Sequence, residues 1–107
     1  MPTHQQLKSL SITLEGSLFY DELHKSMYAT DASVYRKKPL AVAIPESIQD
    51  LQAIIHFAKE NNTTLIPRAA GTSLAGQCVG DGIIVDISKH FNKIISFDQV
   101  KQTITVE

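Results

Sequence analysis

Cysteine and histidine, the residues from which disulfides and zinc sites are built, are scarce in this chain. Its 107 residues include one cysteine, Cys78, and four histidines with no paired spacing. One thiol cannot form an internal disulfide, and zinc sites combine several Cys or His ligands at short intervals. The sequence therefore predicts no metal site, and its cysteine usage favours a reducing compartment, which we expect to be the cytoplasm.

Long hydrophobic runs and blocks of one charge are also absent. The longest apolar runs, near 40–45 and 83–85, are far too short to cross a bilayer, and the amino terminus lacks a signal-peptide pattern. Ten basic residues against eleven acidic ones give a formal charge of -1, which argues against a nucleic-acid-binding surface. We expect one small soluble domain with no transmembrane segment and no nucleic-acid partner.

The first third of the chain is predicted to be helical. Thr3 can cap a first helix that runs to Leu10. A second apolar set recurs every four residues, the spacing of one helix face: Phe19, Leu23 and Met27. Short polar side chains at 30–33 then favour a turn. We therefore assign residues 1–30 to a helical leader.

A capped helix is predicted after residue 46. The Ser47 hydroxyl can accept from free amides at a helix start, with Asp50 three residues on. An apolar stripe at helical spacing follows: Ile48, Leu51, Ile54, Ile55 and Ala58. Asn61 and Asn62 favour an end to the helix there, because Asn tolerates the left-handed conformation. His56 lies off the stripe, so we expect it to face solvent.

Short apolar runs at 40–45, 64–66 and 82–87 predict three strands around this helix. A strand, a helix and a second strand in succession favour a right-handed crossover between parallel strands. The predicted fold class is therefore α/β (α+β), with residues 31–91 as a first subdomain.

The last residues predict a hairpin. KIISF and TITVE are two strand-like runs separated by residues 98–101, whose length and composition suit a hairpin connection. A two-stranded hairpin is marginal alone. We interpret residues 92–107 as the first hairpin of a truncated second subdomain and expect the natural protein to continue beyond Glu107.

Four of the five glycines fall close together, directly after the second predicted strand: Gly71, Gly76, Gly80 and Gly82. Glycine allows positive φ and close approach of a ligand, and consecutive amides in such turns can converge on an anion. Arg68 adds a guanidinium that matches phosphate oxygens, and Thr72 and Ser73 add hydroxyl groups. RAAGTSLAG is therefore a candidate cradle for a phosphate or diphosphate; the alternative is a plain connection between strands with a solvated arginine.

Two familiar nucleotide-binding loops do not fit this segment. Gly71 and Gly76 match the GxxxxG frame of an NTPase loop, but Gln77 and Cys78 stand where that loop needs Lys and Ser or Thr. The sequence then continues into a strand, so no helix N-terminus would face the phosphates as in NTPase and GxGxxG folds.

The chain resembles the FAD-linked oxidases and dehydrogenases of the vanillyl-alcohol-oxidase type, which carry a PCMH-type FAD-binding domain. The resemblance covers residues 28–107 through YATDASVYRKKPLAVAIPES, DLQAIIHFAKENNTTLIPRAAGTSLAGQ and GIIVDISKHFNKIISFD. It is strongest to the D-lactate, glycolate and D-2-hydroxyglutarate dehydrogenase branch, whose long chains carry iron–sulfur modules after the flavin domain. An iron–sulfur cluster outside these residues is therefore left open.

The resemblance implies that the loop wraps the pyrophosphate of FAD with backbone amides and hydroxyls. The implied cofactor-binding residues are Arg68, Ala69, Ala70, Gly71, Thr72, Ser73, Gly76 and Gln77. Some relatives carry His at the position of Thr72 and attach the flavin there, so threonine implies non-covalent FAD. Family members place FAD between two subdomains and the substrate in a further domain, so no catalytic residue is named within this chain.

We therefore expect part of an FAD-dependent dehydrogenase that oxidises a small 2-hydroxy acid such as D-lactate or glycolate, itself inactive as an isolated chain. The alternatives are a non-catalytic phosphate- or nucleotide-binding module, a sugar-lactone oxidase and a peptidoglycan-precursor reductase. We expect structural roles for Asp31, Ser33 and Tyr35, in a turn that packs on the core, and for Asp86, which can end a strand. Cys78 is expected to be a small apolar residue without a catalytic role.

Overall fold

The computed structural model describes residues 1–107. Its elements are α1 (His4–Thr13), β1 (Ser17–Phe19), α2 (Glu22–Met27), β2 (Ala41–Ile44), α3 (Ile48–Glu60), β3 (Leu65–Arg68), β4 (Ile83–Asp86), β5 (Ile94–Asp98) and β6 (Thr103–Val106). The first four strands form one sheet in the order β1-β2-β4-β3, and β5 and β6 form a separate antiparallel hairpin. Since β2, β4 and β3 are parallel and β1 is antiparallel, the predicted α/β (α+β) class is confirmed.

The central strand of the sheet is β4, and all four of its residues are buried. The three predicted strands are confirmed as β2, β3 and β4, with the last of them inserted between the first two. The main cluster of buried apolar side chains draws on α1, the residue that follows it, β1, β2, α3 and β4: Leu7, Leu10, Leu14, Leu18, Ala41, Ala43, Ile54, Ile83 and Val85. The segment predicted as a helical leader thus contributes a helix, a strand and four core leucines to the same core.

The second predicted helix is shorter than its apolar spacing indicated. Thr3 caps α1 as predicted, but residues 17–19 form β1, which pairs with β2 and buries Leu18. Asp21 caps α2, and the side chains of Leu23 and Met27 are 67% and 60% exposed. The prediction of one helix through Phe19, Leu23 and Met27 is therefore wrong. Residues 17–19 instead form backbone hydrogen bonds with the free edge of β2. Three apolar residues spaced four apart do not reveal such a distant partner.

The predicted helix after residue 46 is confirmed at both ends. Ser47 accepts a hydrogen bond from the Asp50 amide at 3.1 Å, and Asn62 has a φ of 49° just past the last turn. Its stripe is narrower than predicted, because Ile48 and Ile55 are exposed. The helix has 13 residues, and none of the helices is long and apolar enough to cross a membrane.

Asp50 ties three chain segments together. Its carboxylate accepts hydrogen bonds from the amides of Gly16 at 2.8 Å and of Glu15 and Glu46 at 2.9 Å. Burial by itself raises the pKa of Asp50, which is 2% exposed, but these backbone hydrogen bonds more than offset it and hold the pKa below its ordinary 3.8. The ionised carboxylate therefore fixes the entrance to β1 against the start of α3.

The predicted hairpin is confirmed and is exposed on both faces. Every residue of β6, and all of β5 except its last, is exposed. Large apolar side chains are among them: Ile94, Ile95, Phe97, Ile104 and Val106. The radius of gyration is 15.1 Å, above the ~13 Å of a compact chain of this length. The hairpin therefore stands apart from the core.

Candidate functional site

The glycine-rich loop lies at the carboxyl edge of the parallel strands. It connects the end of β3 to the start of β4 and contains no helix. Arg68 and Asp86, the last residues of these two strands, stand side by side in register. In open α/β sheets, ligands bind outside the carboxyl ends of parallel strands, so the loop lies where such folds place a ligand.

Two of the loop glycines adopt the left-handed conformation. Gly71 has a φ of 68° and Gly76 a φ of 75°. A Cβ on Gly71 would meet the guanidinium of Arg68, and a Cβ on Gly76 would lie 2.7 Å from the Tyr35 ring. Both positions therefore require glycine, because the backbone is left-handed there and a Cβ would clash with a neighbouring side chain.

The first part of the loop presents unpaired backbone donors. None of the amides from Ala69 to Leu74 donates a hydrogen bond within the chain. The Thr72 side chain is exposed and makes no hydrogen bond within the chain, whereas the Ser73 hydroxyl donates to Gln77 at 3.0 Å and accepts from the Gln77 and Ala75 amides. Consecutive free amides beside a left-handed glycine are the donors that an anion needs.

The guanidinium of Arg68 is anchored below this loop. It donates to the Thr30 carbonyl at 2.7 Å, and its carbon lies 5.2 Å from the centre of the Tyr28 ring. This single hydrogen bond uses one of its five N–H groups, so the charge lies beneath Gly71 with donors still available.

The buried Asp86 and the half-buried Tyr28 form a polar pair next to the arginine. The Tyr28 hydroxyl donates to Asp86 at 2.6 Å, and the Ser88 amide and hydroxyl donate to the other carboxylate oxygen at 2.9 and 2.6 Å. Burial, together with the Asp86 carboxylate, raises the pKa of Tyr28 to about 12. Burial also raises the pKa of Asp86, but the hydrogen bonds from Ser88 and Tyr28 outweigh it and lower that pKa. Asp86 thus ends β4, as the sequence predicts.

The segment from Tyr28 to Lys37, called the brace segment below, runs along the loop. The Ala32 amide donates to the Gly71 carbonyl at 3.1 Å, and the Asp31 carboxylate accepts from the Cys78 amide at 3.3 Å. Within the brace segment, the Ser33 amide and hydroxyl donate to Asp31, and the Tyr35 amide donates to Ser33. The structural role predicted for this turn is confirmed, but it faces the loop and not the core.

Sequence reasoning missed the brace segment as part of the site. Its contacts join residues 38 to 47 positions apart, and no local pattern reports such a pairing. A shallow cleft of about 540 Å³ opens beside it, lined by Tyr35, Arg36 and Gly76 among others. No group of three or more His, Cys, Asp or Glu side chains is placed to hold a metal ion.

Relatives of known function match almost the whole chain. The chain is 35% identical over 106 residues to a D-2-hydroxyglutarate dehydrogenase of Escherichia coli, covering 96% of this chain and 10% of that protein. It is 29% identical to the glycolate oxidase subunit GlcD of Bacillus subtilis, covering 96% of this chain and 23% of that protein. The chain therefore spans only a small part of the length of these relatives.

The fold also has close structural neighbours. A variant of the BBE-like 1 protein of Physcomitrella patens superposes with a TM-score of 0.72 over 94% of this chain and 22% of its own, at 22% identity. The family model described as "FAD binding domain" matches residues 39–107, which include the glycine loop and the hairpin. The predicted family resemblance is confirmed, and this chain belongs to the FAD-binding domain family of FAD-linked oxidoreductases.

Proposed function

We propose that the loop from Arg68 to Gln77 binds the pyrophosphate of FAD non-covalently in a flavin-dependent oxidoreductase. The observation that carries this proposal is the run of unpaired amides from Ala69 to Leu74 at the carboxyl edge of the parallel strands. A diphosphate offers several anionic acceptors to such a run. The residues present therefore fit the group that the family binds.

Each residue of the loop has a role that fits its observed position. The backbone amides of Ala69, Ala70, Gly71, Thr72 and Ser73 would donate to phosphate oxygens, and the exposed Thr72 hydroxyl would add a side-chain donor. The Arg68 guanidinium, with its remaining N–H donors, would supply positive charge from below the loop. Ser73, Gly76 and Gln77 fix the second half of the loop through the Ser73 hydrogen bonds and the left-handed glycine.

The whole protein is proposed to oxidise a small 2-hydroxy acid, such as D-lactate or glycolate, to the 2-oxo acid. Support comes from the names of the relatives, which act on D-2-hydroxyglutarate and glycolate. When bound, FAD supplies the acceptor for the hydride that leaves the carbon bearing the hydroxyl group. This chain's part is to bind and orient the cofactor; the base that takes the hydroxyl proton is proposed to lie outside residues 1–107, and the protein is proposed to be cytoplasmic.

The division at residue 92 is part of the same proposal. The hairpin of β5 and β6 exposes apolar side chains on both faces, as a strand pair does when more chain packs against it. We propose that residues 1–30 and 31–91 build one wall of the cofactor site and that residues 92–107 begin the second.

The proposed function is tested by the colour of the complete flavoprotein. We expect the purified protein to show flavin absorbance bands, either as isolated or after FAD is added. A protein that stays colourless with excess FAD would show that the loop serves a non-catalytic phosphate-binding or structural role.

Acid precipitation separates bound from attached flavin. Thr72 has no imidazole with which to bond the isoalloxazine, so we expect all flavin in the supernatant after the protein is precipitated with acid and washed. Flavin absorbance retained in the washed pellet would contradict the non-covalent proposal while leaving FAD binding itself intact.

The isolated 107-residue chain is expected to bind FAD with a dissociation constant of about 1 μM or weaker, and to have no dehydrogenase activity. An affinity of 1 μM corresponds to about -8 kcal/mol, and one loop must also offset the immobilisation of a large flexible ligand. Isothermal titration calorimetry measures this directly. Nanomolar binding would mean that the site is complete within these residues.

A further inference from the structure

Asp31 joins the brace segment to the far side of the glycine loop. One carboxylate oxygen accepts from the Ser33 amide at 2.8 Å and from the Ser33 hydroxyl, and the other accepts from the Cys78 amide at 3.3 Å. The hydrogen bond from the Ser33 hydroxyl is the largest cause of a lowered pKa for Asp31, and the charge of Arg68 contributes to it. The side chain is therefore an anion that holds two segments 47 residues apart in sequence.

The loop is held by the brace segment at both left-handed glycines. The Ala32 amide donates to the Gly71 carbonyl, and the Tyr35 ring lies 2.7 Å from where a Cβ of Gly76 would stand. Asp31 lies between Ala32 and Thr30, whose carbonyl accepts from Arg68. Asp31 also accepts a hydrogen bond from the Cys78 amide, two residues past Gly76, so the brace segment contacts the loop on both sides of the second glycine. The turns that present the free amides are thus fixed from outside the loop.

A carboxylate beside an anion-binding loop is unfavourable on electrostatic grounds alone. A negative charge near a diphosphate repels it, and the repulsion is larger in a partly buried site than in bulk water. Asp31 is half-buried and faces the loop. The specific gain at this position is the charge-assisted hydrogen bond that Asp31 accepts across the loop from the Cys78 amide.

We propose that Asp31 is a positioning residue that fixes the glycine loop in the shape that accepts the cofactor, before the cofactor arrives. The inference rests on the proposed function of the loop. A loop that is already ordered loses less conformational entropy when the ligand binds, which raises affinity without a direct contact. Asp31 would thus favour binding of an anion in spite of its own negative charge.

The sign of the effect separates positioning from electrostatics. Asp31→Asn in the complete flavoprotein removes the charge and replaces one acceptor oxygen with a donor group. We expect FAD to bind about tenfold more weakly, a loss that corresponds to about 1.4 kcal/mol. The matched control is Glu60→Gln, which removes the same charge from a 62% exposed side chain on α3, away from the brace segment and the loop. We expect its affinity for FAD to be unchanged or slightly higher.

Flavin fluorescence quenching gives both affinities, and thermal unfolding of the FAD-free proteins shows whether each variant folds. Ser33→Ala, which removes one donor to Asp31, should weaken binding in the same direction by a smaller factor. FAD binding by Asp31→Asn that equals or exceeds wild-type binding would overturn the inference. If the wild-type protein bound no FAD, the proposed function itself would be wrong.

Hydrogen exchange tests the same inference without cofactor. In the FAD-free protein, the hydrogen-bonded amides of Gln77, Cys78 and Val79 should exchange faster in Asp31→Asn than in wild type, while those of α3 should not change. Equal exchange in the loop of the two proteins would show that Asp31 does not hold it, whatever the affinities.

Discussion

Gly71→Val should abolish measurable FAD binding by the complete flavoprotein while leaving its fold largely intact. Gly71 has a φ of 68°, which a β-branched residue adopts only under strain of about 1–3 kcal/mol. The new side chain would also displace the Arg68 guanidinium from its place against the glycine. Both effects distort the run of free amides that begins at Ala69, so the loss should exceed the roughly 5- to 150-fold that strain alone implies.

The matched control for this substitution is Lys59→Ala on the exposed side of α3, which should bind FAD as wild type does. Flavin fluorescence quenching measures both proteins. An unchanged FAD affinity in Gly71→Val would show that this glycine shapes a turn and nothing more, and that the proposed cradle lies elsewhere.

Asp50→Ala should lower the free energy of unfolding by about 3 kcal/mol, because it leaves the amides of Glu15, Gly16 and Glu46 without their acceptor. Domains of this size are stable by only about 5–15 kcal/mol, so the loss is a large fraction of the total. Urea unfolding followed by circular dichroism measures it. Glu60→Ala, which removes a carboxylate 62% exposed on the same helix, should change stability by less than about 0.5 kcal/mol.

The same carboxylate predicts a pH dependence. The folded-state pKa of Asp50 lies below its ordinary 3.8, so its contribution to stability is complete above that value and is lost as pH falls through the folded-state pKa. Asp50→Asn should therefore show a shallower loss of stability below about pH 4 than wild type does. Acid unfolding curves of equal slope for the two proteins would contradict the assignment.

Local chemistry was sufficient to predict the helix α3 and the strands around it. Ser47 and Asn62 mark the ends of the helix through side-chain and backbone properties that act within a few residues. The runs that became β2 and β4 are apolar apart from Asp86, and consecutive residues in each are buried, as in strands covered on both faces. The clustered glycines likewise located the loop, because positive φ is a property of a single residue.

Weaker local patterns gave wrong predictions where a segment distant in sequence offered a competing interaction. Phe19, Leu23 and Met27 have helical spacing, but pairing with β2 draws residues 17–19 into the sheet. Asp50 fits a helix-cap position by sequence, yet its carboxylate turns to amides 34 and 35 residues earlier. A spacing of three apolar residues is a small preference, and backbone hydrogen bonding by a free strand edge outweighs it.

Residue types at short spacing were sufficient to predict the family, the fold class and the position of the glycine loop. The surroundings of that loop depend on tertiary contacts. The tertiary structure placed Arg68 on Tyr28 and Thr30, and it brought the Asp31 carboxylate to the Cys78 amide. These contacts join positions far apart in the chain, where no residue's own conformational preference specifies its partner; the partner is fixed only when β3 and β4 align and the brace segment packs across their carboxyl ends.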